Sequence, residues 1–223
     1  MRERRFEEKK EIERDRKIKI VKETNEIIIN NKISYIEATE NPLSADIGII
    51  REAGGIWLYD VGNGEYSARS IPGEKCNVVL SHFHQDHVGN IAHIQAQDLY
   101  VSRETYGHIR QGIVVKQDLY IGDLHIFPLP SSHCAGSLGL EIDKQYAFVG
   151  DAIYCKTKNG ECIYNAQLLK EEIEVLRGLD APYLLVSHFK GLVREKEEVL
   201  AELEAIYRMR EKSNPFIKVG ISV

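Results

Sequence analysis

Short apolar runs, mostly β-branched and each closed by a polar or glycine-rich break, recur along this chain and predict a strand-rich protein. Ile27-Ile28-Ile29, Ile33-Ser34-Tyr35-Ile36 and Ile47-Gly48-Ile49-Ile50 are separated by Asn30-Asn31 and Asn41-Pro42. Ala53-Gly54-Gly55 predicts a hairpin into Ile56–Asp60. Further strands are expected at Cys76–Ser81, Leu99–Val101, Leu119–Ile121, Leu124–Phe127, Leu138–Ile142, Tyr146–Val149 and Tyr183–Val186. The period changes from two to about 3.6 in two places. Leu168, Leu169, Ile173 and Leu176 mark a helix over Asn165–Arg177, and Val199, Leu200, Leu203 and Ile206 mark one over Lys196–Met209. Ser102 reads as the cap of another helix with Glu104 in its first turn, and Val88–Ile94 as the start of one more. No fixed-period repeat and no low-complexity linker divides the chain. Residues 23–223 are therefore expected to form a single layered domain of two halves.

Charge changes this picture only at the N-terminus. Residues 1–22 carry ten Lys/Arg and six Asp/Glu, or +4, against −5 for all 223 residues and hence −9 for the remainder. Closely interleaved signs predict a solvated helix or arm there. An acidic body argues against a large nucleic-acid surface. No stretch has the roughly 18 apolar residues of a membrane span, and no apolar signal core precedes residue 30, so a cytoplasmic location is expected. Cys76, Cys134, Cys155 and Cys162 form no CxxC pair. The Asn159-Gly160 turn sets Cys155 and Cys162 diagonal to one another, which predicts reduced thiols.

The chemistry concentrates in His82-Phe83-His84-Gln85-Asp86-His87, directly after an apolar strand. Three imidazoles and a carboxylate in six residues have no packing purpose and suit a divalent cation. Six residues alone make an incomplete site, so more ligands are expected at other strand ends. His133 follows Leu124–Phe127 and its Pro-Ser loop, Asp151 follows Phe148-Val149-Gly150, and His188 follows Tyr183–Ser187. Cys134 and Tyr154 are assigned to packing, and His93, His108 and His125 to ordinary surface or core positions. Gln85 is expected to face outward, at the border of the pocket.

With these residues in place, the chain resembles the metallo-β-lactamase superfamily. His82, His84, Asp86 and His87 match its HxHxDH motif. His133 in Ser132–Ser137, Asp151 in Gly150-Asp151-Ala152 and His188 in Ser187-His188-Phe189 are similar to its later ligand segments. Asp60 in Tyr59-Asp60-Val61-Gly62 matches an aspartate that ends an early strand. The resemblance runs from about Ile27 to Tyr207 and implies an α+β fold, a four-layer αββα sandwich. It also implies two divalent metal ions, Zn²⁺ first, with Mn²⁺ or Fe²⁺ as alternatives. His82, His84 and His133 would hold one, Asp86, His87 and His188 the other, and Asp151 would bridge them. Asp60 would accept a hydrogen bond from a ligand histidine. A water shared by the metals would become a hydroxide nucleophile, and Asp86 would orient it and take or pass on its proton.

The segment from Ser137 to Ala152 looks most like the glyoxalase-II-like branch. With the sequence ending soon after Lys212, that branch's helical glutathione-binding domain is not expected. The resemblance then implies a hydrolase of a small ester, thioester or lactone. Phosphodiester hydrolysis of a nucleotide or nucleic acid is the alternative, and a mononuclear iron persulfide dioxygenase a further one. Asp151 argues against a β-lactamase, because those enzymes normally have no aspartate at that position. The expected partner is a small molecule, with a nucleotide the other option and no membrane.

Overall fold

The computed structural model describes residues 25–220; the charged segment 1–22 lies outside them. The first half is a seven-stranded sheet in the order β1-β2-β5-β6-β7-β8-β9. Its strands are β1 (Glu26–Ile28), β2 (Ile33–Ile36), β5 (Ile47–Glu52), β6 (Gly55–Tyr59), β7 (Cys76–Val79), β8 (Ala96–Val101) and β9 (Ile113–Val114). A small hairpin, β3 (Thr39–Glu40) with β4 (Leu43–Ser44), stands apart from it. The second half is a six-stranded sheet in the order β10-β11-β12-β13-β16-β17. Here the strands are β10 (Leu119–Ile121), β11 (Leu124–Leu129), β12 (Ser137–Ile142), β13 (Tyr146–Gly150), β16 (Tyr183–Val186) and β17 (Val193–Glu195). A third sheet joins β14 (Lys156–Lys158), β15 (Glu161–Asn165) and β18 (Phe216–Val219).

Three apolar clusters account for the layering. One lies between the two large sheets and takes Ile50, Trp57 and Tyr59 from the first with Ile126, Leu140 and Phe148 from the second. Gly48 has no side chain at this interface because a Cβ there would run into the Phe148 ring. A second cluster covers the outer face of the first sheet, where helices α1 (Gly64–Ser70), α2 (Gln85–Val88) and α3 (Arg103–Ile109) lie. The third packs α4 (Ala166–Gly178) and α5 (Lys196–Arg208) on the second sheet through Leu169, Leu176, Val199 and Leu203. The order is helix, sheet, sheet, helix, as the resemblance implies.

Caps and turns follow the local sequence. Ser102 accepts a hydrogen bond from the Thr105 backbone N–H, and Asn165 accepts from those of Gln167 and Leu168, so both helices begin where the sequence places them. The helix expected from Val88 begins earlier, at Gln85, and breaks after Val88; only a 3₁₀ turn, Ile91–His93, follows. Gly89 and Asn90 interrupt it, and the Asn90 side chain donates to the Val61 and Gly64 carbonyls.

The thiol assignment is corrected. Cys155 and Cys162 form a disulfide with Cα atoms 5.5 Å apart. The hairpin register is the expected one, Thr157 opposite Cys162, but β14 begins only at Lys156. Cys155 therefore lies outside the ladder and is free to approach Cys162. The cysteine pattern no longer argues for a reducing compartment. No helix among the described residues is long and apolar enough to cross a membrane.

Candidate metal centre

Strand direction gathers the chemistry. β6 and β7 run parallel, and β11, β13 and β16 share one direction, since β11 and β13 both oppose β12 and β13 runs parallel to β16. Their C-terminal ends deliver Asp60 (after β6), His82 (after β7), His133 (after β11), Asp151 (after β13) and His188 (after β16) to one edge of the sandwich. Two links fix the sheets beside this edge. The Leu138 N–H donates to the Ser81 carbonyl at 2.8 Å, and the buried Tyr59 hydroxyl donates to the Leu138 carbonyl at 2.7 Å.

All seven residues expected as ligands meet here, in two groups. In the first, His84 Nδ1 is 2.9 Å from His82 Nε2 and 3.1 Å from His133 Nε2. In the second, Asp86 Oδ2 is 3.1 Å from His188 Nε2 and 3.6 Å from His87 Nε2. Asp151 Oδ2 reaches both groups, at 3.4 Å from His133 Nε2, 3.4 Å from His87 Nε2 and 3.8 Å from His188 Nε2. Donors around a tetrahedral cation, with Zn–N of about 2.0–2.1 Å, stand about 3.3–3.4 Å apart. The spacing fits that requirement.

The electrostatics fit as well. Burial, reinforced by neighbouring imidazoles, holds His82 well below the usual histidine range and lowers His84 too. Both are thereby kept in the neutral, ligating form. In the second group burial pulls downward, but the Asp60 and Asp151 carboxylates prevail and push His87 up to about 10. His188 is raised by Asp86 and Asp151 against its own burial. This second group therefore favours positive charge. His87 Nε2 and Asp151 Oδ1 are buried without a hydrogen-bond partner, a costly state that a cation between the groups would relieve.

Asp60 lies beneath the first sheet's ligands, fully buried. Its Oδ2 is 2.7 Å from His87 Nδ1, and its two oxygens accept from the Ser81 N–H and hydroxyl, each at 2.7 Å. The Ser81 hydroxyl is also 2.9 Å from His82 Nδ1. Two further positioning groups were not foreseen, Ser81 and Asp46, whose Oδ2 accepts the His188 N–H at 2.8 Å. Asp60 and His188 both sit at positive φ, 63° and 60°. That strained backbone is held by these hydrogen bonds. Asp46 stands just before β5 and Ser81 just before the motif, places where neither residue type signals a positioning role in the sequence.

Gln85 is exposed, as expected. Cys134 is buried, yet its sulfur lies within 4.8 Å of donor nitrogens of His82 and His84. Burial pushes its thiol up to about 11. The Tyr154 hydroxyl donates to the Ser187 carbonyl at 2.8 Å and so braces the loop that carries His188. His108 stacks on Phe83, with centroids 3.8 Å apart. His125 faces Glu141 and Asp118, within the second sheet. His93 lies in the 3₁₀ turn.

Two hollows flank the centre. One, of about 420 Å³, opens from His84 and His133 toward Phe83, Lys156, Leu168 and Phe216. The other, about 540 Å³, adjoins His188 and is lined by Glu37, Glu40, Asp46, Phe189 and Lys190.

No protein-family model and no curated protein matches the sequence. Solved structures do. The DIM-1 metallo-β-lactamase superposes with a TM-score of 0.63 at 13% identity, covering 82% of this chain and 96% of that one. A metallo-β-lactamase superfamily protein from the archaeon Sulfolobus tokodaii gives 0.55 at 16%, covering 87% and 91%. The chemotaxis sensor ODP, solved as a peroxy diiron species, gives 0.59 at 15%, covering 80% and 93%. The chain has the metallo-β-lactamase fold.

Proposed function

We propose that the protein is a binuclear metal-dependent hydrolase acting on a small ester, thioester or lactone. One observation carries the reading: a single carboxylate oxygen, Asp151 Oδ2, lies 3.4 Å from a donor of each histidine group. His82, His84 and His133 would hold one divalent cation, and Asp86, His87 and His188 the other, with Asp151 common to both. Cations so held would supply acidification of a bound water and polarisation of the substrate's carbonyl. The chain's own residues supply the rest. Asp86 is positioned to orient the attacking water and receive its proton. Asp60 and Ser81 fix the ring planes and tautomers of His87 and His82. Asp46 and Tyr154 hold the His188 loop in place.

The flanking hollows favour carbonyl over phosphoryl chemistry. The hollow beside His84 and His133 offers one lysine, Lys156, and no arginine, and the hollow beside His188 sets Lys190 against Glu37, Glu40 and Asp46. A nucleic-acid backbone, with one negative charge per phosphodiester linkage, calls for more cationic lining than that.

The test combines metal analysis with a substrate panel. Two equivalents of zinc or manganese, with turnover of p-nitrophenyl esters or thioesters and not of bis(p-nitrophenyl) phosphate, is the expected result. Turnover of the phosphodiester alone would move the reading to phosphoryl transfer. One equivalent of iron without a second metal would overturn the binuclear reading. Two irons would favour a redox role, which the diiron sensor among the structural neighbours makes specific. Asp151→Ala should lose activity and the paired metals together; an active, fully metallated variant refutes the bridge.

A further inference from the structure

The third sheet has a register that gives its two faces different tasks. Lys156 pairs with Ile163, and Asn165 pairs with Phe216. Side chains alternate along a strand, so Lys156, Ile163, Asn165 and Phe216 share one face, and all four line the hollow beside His84 and His133. Tyr164 and Ile217, one step along, share the opposite face and are buried in the helix-covered core. Cys162 pairs with Val219 on that hidden face, and the Cys155–Cys162 disulfide packs against the same core. The bridge thus clamps the sheet from behind without entering the hollow.

Phe83, stacked on His108, and Leu168 also line the hollow. Phe216 is an aromatic side chain left 49% exposed at the rim. Lys156 has no ion-pair or hydrogen-bond partner among the described residues, and no other Lys or Arg lines this hollow. About 420 Å³ is at the lower end of small-molecule sites.

We propose that the third sheet is the acyl-recognition wall of the centre. The hollow between it and His84–His133 takes the apolar acyl chain of the substrate, with Ile163 and Phe216 setting its length and the Cys155–Cys162 clamp setting its width. The inference deepens the hydrolase reading and rests on it for placing the reacting carbonyl beside His84 and His133. The substrate class it names is a medium-chain acyl ester, thioester or lactone, in preference to acetyl compounds or bulky polar conjugates.

The test is binding of acetate, butyrate, hexanoate and octanoate to the zinc-loaded full chain, measured by calorimetry. Affinity should rise about three- to fourfold per methylene in the buried part of the series. Ile163→Trp fills the hollow and should flatten the series. Phe216→Ser, at the exposed rim, should weaken octanoate binding about tenfold, a check available if Ile163→Trp folds poorly. Cys155→Ser with Cys162→Ser should give a shallower slope. A flat series in the wild type, or an unaltered slope in Ile163→Trp and Phe216→Ser, overturns the acyl wall; an unaltered slope in the cysteine variant overturns the clamp. Failure of the metal reading shows differently, as zinc-independent acetate binding with the chain-length slope retained.

Discussion

A single buried carboxylate, that of Asp60, serves three groups: the Ser81 N–H, the Ser81 hydroxyl and His87 Nδ1. Asp60→Asn keeps the size but cannot accept from all three, so metal affinity should fall about 10–100-fold, as measured by competition with a chromophoric chelator. Unchanged affinity would show that Asp60 does not orient the ligands. Glu172, in α4, differs: it is wholly buried and neither oxygen has a partner. Burial raises its carboxyl well above the ordinary 4.5. Above that ordinary value the unfolded chain has released a proton that the native state still holds, so stability falls as pH rises toward the raised pKa. Glu172→Met should therefore stabilise the protein by about 1–3 kcal/mol at pH 8 and by less near pH 4, read from denaturant unfolding at both values. An equal gain at the two values would dismiss the ionisation argument. At this scale the candidate ligands were legible because three imidazoles in six residues have few other uses. Ser81 and Asp46 were not, because serine and aspartate are common at strand ends and these two act through hydrogen bonds made by the fold.

Among the elements, the β14–β15 hairpin is held by a covalent bond as well as by its ladder. For a loop this short the chain-entropy model gives about 2.5 kcal/mol. Cys155→Ser with Cys162→Ser should then lower Tm by about 5–10 °C in calorimetry without reductant. A Tm unmoved by the substitution would mean that the ladder with β18 suffices. Removing the α4 cap by Asn165→Ala should cost about 1 kcal/mol, a smaller shift in the same experiment. The readable elements were the two long helices, which fall where their apolar spacing places them, and Tyr183–Val186, which stands out as an unbroken apolar run rather than by alternation. β17 and β18 were missed for a physical reason. Three- and four-residue strands carry too little alternation to stand out, and β18 is defined by a partner, β15, about fifty residues away in sequence. The break after Val88 escaped notice because Asn90 stabilises it through carbonyls of another segment.

For the whole molecule, the two-half plan was visible in the sequence because each half carries its own run of strands. The seam between them was not, since no local pattern reports which strands face each other across Gly48 and Phe148. The donor groups straddle that seam. Each takes two residues from the first half and one from the second, with Asp151 added from the second. Saturating metal at about a thousand times its Kd should add about 4 kcal/mol, and chelation should lower Tm by about 8–16 °C. A Tm indifferent to chelator would mean that the cations stabilise neither half against the other. Linkage is reciprocal: what metal binding contributes to holding the halves together, the docking of the halves contributes to metal affinity. The centre is in that sense a gauge of sheet alignment. A substitution far away, such as Gly48→Ala pressing on Phe148, would be read at the edge as weakened metal affinity, with every donor residue untouched.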